Sequence, residues 1–65
     1  MNEVTMKDLL EKGVDAFGKV YYLNVPIVRI EGDAGDESLC VWIGDSLEDS
    51  TLFVAYADEI LQFSL

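Results

Sequence analysis

The sequence contains no histidine, one cysteine, one proline, and no lysine or arginine after Arg29. Each shortage removes a class of chemistry. Without histidine, a Cys–His pair, a Ser–His–acid triad and a histidine-bound zinc are all impossible within one chain. Cys40 alone cannot close an internal disulfide, so nothing points to an oxidising compartment. Flanked by Leu39 and Val41, it reads as a buried, inert thiol. No apolar run approaches the roughly 20 residues that span a bilayer, and residues 1–12 lack the apolar stretch of a signal peptide. The expected location is therefore cytoplasmic. Four bases against thirteen acids leave a net charge of −9 and a pI near 4.1. That argues against direct contact with nucleic acid or an anionic membrane, because both need Lys and Arg to neutralise phosphate.

What the chain does have is apolar material. The hydrophobic fraction is 51% and mean hydropathy is +0.22, enough to fold rather than stay disordered. At 65 residues it is one small acidic domain, and a domain of this size buries only about 60% of its unfolded surface. A reactive cleft needs walls that so short a chain has little material to build, so no enzymatic activity is expected. No cofactor is expected either. Asp33, Asp36 and Glu37, or Asp45, Glu48 and Asp49, offer oxygens to a divalent cation, but neither stretch has the spacing that folds a loop around calcium.

Along the chain, Thr5 is an N-cap and Asp8 completes a capping box, with Val4 and Leu9 at the staple positions. Met6, Leu9, Leu10, Val14 and Phe17 fall at helical spacing. Gly13 and Gly18 both suit a helix end, so the helix stops at Lys12 or Phe17, and the stripe favours the longer version. From Lys19 the pattern becomes strands. Lys19–Leu23 leads to Asn24, a turn residue, and Ile27–Glu31 alternates with Val28 and Ile30 on one face. Leu39–Ile43 and Thr51–Tyr56 follow, separated by the polar loops 32–38 and 44–50. Residues 57–63 read as a 3₁₀ turn leading to a last strand, or as a short helix. Of the aromatics, Phe17, Tyr22, Trp42, Phe53 and Phe63 are assigned to the core, and one of Tyr21 and Tyr56 to the surface.

The expected fold class is α+β: an N-terminal helix followed by a four- to five-stranded antiparallel meander. Such a meander must curl to bury its apolar face, giving a curved sheet or a small, partly open barrel. A 3₁₀ turn before the last strand is similar to the habit of SH3-like barrels.

Charge is divided unevenly. Residues 1–30 hold all four bases and four acids; residues 31–65 hold nine acids and no base. The acids fall in three bunches at turns or strand ends. One explanation is solubility alone. Against it, uncompensated charge costs a small domain stability through self-repulsion. The leading expectation is therefore a non-enzymatic interaction protein, of the kind phages use as inhibitors. Its carboxylates would stand in for phosphates and block a basic, nucleic-acid-binding protein of the restriction, CRISPR or repair type. The candidate partner-binding residues are Asp33, Asp36, Glu37, Asp45, Glu48 and Asp49. The alternative is a structural or accessory module acting through apolar surface as a homodimer, since Leu39–Ile43 and Leu52–Ala57 are apolar on both faces.

The capping reading has a direct check. Thr5→Ala should lower unfolding stability by about 1 kcal/mol in urea titration; an unchanged midpoint would mean that the helix start is not held this way.

Overall fold

In the computed structural model, which describes residues 2–32 and 37–64, the local signals at the helix are met in detail. Helix α1 spans Met6–Lys12. The Thr5 hydroxyl accepts from the Asp8 amide at 3.1 Å, and the Asp8 carboxylate accepts from the Thr5 amide at 3.4 Å. Hydrogen bonding to the Asp8 carboxyl from the Thr5 side chain, and then from the Thr5 amide, holds it below its usual range by favouring the ionised form. Gly13, at φ 98°, then ends the helix in a conformation that L side chains rarely adopt. Of the two helix ends the sequence allows, Lys12 is the one observed, not the longer version that the apolar stripe favours. Residues Val14–Phe17 form a separate 3₁₀ turn, closed in its turn by Gly18.

Among the described residues, six strands accompany this helix: β1 (Asn2–Thr5), β2 (Lys19–Tyr22), β3 (Val25–Gly32), β4 (Ser38–Gly44), β5 (Ser50–Tyr56) and β6 (Ile60–Ser64). All pairings are antiparallel, in the order β1-β6-β2-β3-β4-β5. The α+β class stands, and two details are corrected. A strand precedes the helix, and the last strand does not extend the meander beyond β5 but returns to lie between β1 and β2. Residues 57–63 are accordingly a turn and a strand, not a helix.

The sheet is curved but not closed into a barrel. Curvature is visible in the rings of Tyr22 on β2 and Phe53 on β5, whose centroids lie 6.1 Å apart. Three strand spacings separate β2 from β5, which in a flat sheet would amount to about 14 Å. Closure would need the two edge strands, β1 and β5, to pair, and no pairing among the described residues joins them. The return of β6 to pair with β1, with Val4 opposite Leu61, makes β1 one edge of the sheet, and the barrel stays open.

Curvature enters partly at a bulge. Ile27 pairs with Ile43, yet Arg29 pairs with Trp42, so Val28 is an extra residue. It resets the alternation: Ile27 and Ile30, rather than Val28 and Ile30, lie opposite the buried β4 residues Ile43 and Val41. The core combines Val4, Met6, Leu9, Val20, Ile27, Leu39, Val41, Ile43, Ala55 and Leu61. It contains no buried polar or charged residue among those described. Phe17 stacks on Phe63 at 5.4 Å, tying the 3₁₀ turn to β6.

The β2–β3 hairpin turns on Leu23 and Asn24, both left-handed (φ 55° and 65°), between the paired residues Tyr22 and Val25. Two positive φ values define a type I′ turn, for which Asn suits the first position and leucine does not. Leu23 is also 63% exposed, so it gains little from packing. Leu23→Asn should therefore raise stability by about 1 kcal/mol. For a domain this size that is a rise of about 4–8 °C in Tm, readable by circular dichroism. A fall in Tm would show that the leucine is needed where it stands.

Candidate functional site

Strand β4 separates two environments. Leu39, Val41 and Ile43 are buried on the inner face, while Cys40 and Trp42 are half-buried on the outer one. The ladder to β5 sets Val54 opposite Cys40, Leu52 opposite Trp42, and Tyr56 opposite Ser38. Leu52 is 52% exposed, Val54 68% and Tyr56 60%. On the β3 side, the Arg29 guanidinium lies over the Trp42 ring at 5.1 Å and pairs with Glu31. Trp42 is thus not a core residue as expected, but the centre of an apolar outer face with Leu52, Val54 and Tyr56 around it. Of the two surface tyrosine candidates, Tyr56 is the exposed one. The helix lies against the inner face, where Met6 and Leu9 are buried, so apart from the Arg29 side chain over Trp42 nothing among the described residues covers the outer one.

Acids stand at both ends of this face. Asp45, Glu48 and Asp49 are all exposed in the connection between β4 and β5. The tip is shaped locally: the Asp49 amide donates to the Ser46 carbonyl at 3.1 Å, and the Ser50 hydroxyl donates to the Leu47 carbonyl at 2.7 Å. Gly44 permits the tight closure, because a Cβ there would meet the Asp49 carbonyl at 2.1 Å. Glu37 is exposed at the opposite end of β4. Asp33 and Asp36 lie outside the described residues. Consecutive loops of a meander open at opposite ends, and Ser38 and Gly44 are separated by about 20 Å along the strand. Glu37 therefore does not share a patch with Asp45, Glu48 and Asp49.

The companion of Glu37 is instead the β5–β6 turn. The Glu37 carbonyl accepts from the Ala57 amide at 2.8 Å, which places Asp58 and Glu59 at the same end. Alternate turns of a meander share one end, as expected from the sequence, although Asp58 is not among the candidate residues. Glu59 has structural work: one carboxylate oxygen accepts from the Tyr56 amide at 2.7 Å, the other from the Tyr22 hydroxyl at 3.5 Å. The start of α1 is fastened to this end too, with the Met6 amide donating to the Glu59 carbonyl and the Lys7 amide to the Ala57 carbonyl, each at 2.9 Å.

Among the described residues, no three His, Cys, Asp or Glu side chains group as metal ligands. No helix among them is long and apolar enough to cross a membrane. Comparison with protein-family models, curated proteins and solved structures yields no match for this chain.

Burial, followed by the nearby Glu59 charge and hydrogen bond, pushes the Tyr22 hydroxyl above its usual value of 10.0. The folded state thus holds this proton more tightly than the unfolded chain. The stability it carries is complete below pH 10 and is lost as pH rises through the higher folded value. In alkaline titration of thermal stability, Tyr22→Phe should show a shallower decline above about pH 10 than the parent. Parallel declines would mean that Tyr22 does not couple to folding.

Proposed function

We propose that this chain is a non-enzymatic interaction protein that binds a basic surface on another protein, of the kind that holds nucleic acid, and competes with that nucleic acid. The observation that carries this reading is an apolar face, Trp42, Leu52, Val54 and Tyr56, with exposed acids at both ends and no base after Arg29. Apolar contact supplies the centre of such an interface and charge its rim. Carboxylates at Asp45, Glu48 and Asp49, and at Glu37 and Asp58 about 20 Å away, face outward toward a partner's lysines and arginines. Asp33 and Asp36 belong by chain position with Glu37. The mechanism is steric and electrostatic: the module approaches by attraction and excludes phosphate by occupying its place.

The homodimer reading uses the same apolar face and draws on its exposure. It must bring two chains of net charge −9 together, which repulsion opposes. Light scattering separates the two readings. The proposed module runs at its monomer mass of 7.2 kDa at tens of micromolar, and the dimer near twice that value.

The direct test is binding to a panel of nucleic-acid-binding proteins, with and without competing duplex DNA, at low and high salt. Affinity should fall as salt rises, because screening shortens the reach of surface charge to about 8 Å at physiological salt. Joint Asp45→Asn, Glu48→Gln and Asp49→Asn should leave the fold intact and weaken binding by about ten-fold or more. A matched set on the N-terminal segment, Glu3→Gln, Glu11→Gln and Asp15→Asn, should change it much less. Equal losses would mean that only total charge matters, and no loss in either set would leave the acids a solubilising role.

A further inference from the structure

Strand β5 is the last strand of the sheet, with β4 on one side and no strand among the described residues on the other. Its hydrogen-bonding parity can be read residue by residue. The Ala57 amide donates toward β4, to the Glu37 carbonyl, and the Tyr56 amide points the other way, to the Glu59 carboxylate. Backbone groups alternate sides along an antiparallel strand, so the Leu52 and Val54 N–H and C=O groups face the open edge with Tyr56. The same three residues carry the exposed side chains of the outer face. Ser50–Ala57 contains no charged residue, no proline and no glycine, the features that usually protect an edge from pairing.

We infer that β5 is a docking edge, and that its occupant is an extended segment of a partner protein with alternating apolar residues and Lys or Arg at both ends, added as a further strand. The inference rests on the proposed basic partner and specifies how that partner binds. Charge complementarity selects this occupant over a second copy. Antiparallel pairing of β5 with itself would set the start of one strand, beside Asp45, Glu48 and Asp49, against the end of the other, beside Glu37 and Asp58. Acid would then meet acid at both ends of the shared ladder. A segment with basic ends reverses both encounters. Its main chain takes the edge-facing groups of Leu52 and Val54, its alternate side chains lie on the Trp42–Leu52–Val54 surface, and its terminal cations meet the two acidic ends.

The test uses the intact chain and a synthetic nine-residue peptide, Lys-Arg-Val-Thr-Val-Thr-Val-Arg-Lys. Two controls accompany it: the same peptide with Glu at the four terminal positions, and the basic peptide N-methylated at its edge-facing amides. Amide hydrogen exchange is followed by NMR. The basic peptide should slow exchange at Leu52 and Val54 by about ten-fold or more, with a smaller change at Tyr56, whose amide Glu59 already holds. The acidic-ended and N-methylated peptides should give no such protection. Salt-dependent binding of the basic peptide without protection at these amides would overturn the docking edge while leaving the basic-partner reading in place. Absence of binding by the basic peptide, together with failure of the protein panel above, would overturn both. Protection of Leu52 and Val54 that rises with protein concentration and needs no peptide would assign the edge to a second copy and overturn the inference.

Discussion

The packing of Met6 and Leu9 against the inner face is the contact on which the architecture depends. They are the two fully buried side chains of α1, and they reach that burial because the helix start is fastened to the β5–β6 turn. A seven-residue helix has no second stripe to offer. The sheet answers this scarcity of cover by curving over its own core, bringing Tyr22 to Phe53. Its other face is left to solvent. The exposed Leu52, Val54 and Tyr56 are therefore a consequence of how little the chain has to cover them with.

Features governed by local chemistry were legible in the sequence. Thr5 and Asp8 specify a capping box through groups three residues apart. The loop 44–50 and the strands on either side follow from turn residues and apolar runs. Features set by distant contacts were not legible. Asn2–Thr5 has a single large apolar residue, Val4, and becomes a strand because β6 returns to pair with it. Val28 reads as an alternating strand residue, and the bulge that displaces it exists only in the pairing of Ile27 and Arg29 with β4. Trp42 looked like core by type; parity on β4 puts it on the open face, beneath Arg29.

Charge followed the same division. That the acids gather in loops was readable from their positions. Which loops share an end depends on the strand order, and topology pairs Glu37 with the Asp58 turn rather than with Asp45, Glu48 and Asp49. The acids also differ in work done. Glu59 is spent on Tyr22 and the Tyr56 amide, Asp8 on the helix cap, and Glu31 on Arg29. Asp45, Glu48 and Asp49 share a tip whose shape is held by backbone and serine groups, leaving their exposed carboxylates to act on the surroundings.

Solubility and partner selection, set against each other at the level of sequence, become one effect under the proposed reading once the acids are placed. An uncharged edge strand with apolar side chains is a hazard, because any similar strand can pair with it. Placing charges on the strand itself would remove the hazard and the binding surface together. Placing them at its two ends keeps the surface and opposes every approaching strand that is also acidic at its ends, including another copy of this chain. The repulsion acts over about a Debye length, so it reaches the whole rim of the face but fades before the other side of the domain. An approaching segment with cationic ends meets the opposite sign at the same two places. On the proposed reading, the destabilisation that nine uncompensated acids impose on so small a fold is the cost of a surface that excludes its own kind and admits a basic one.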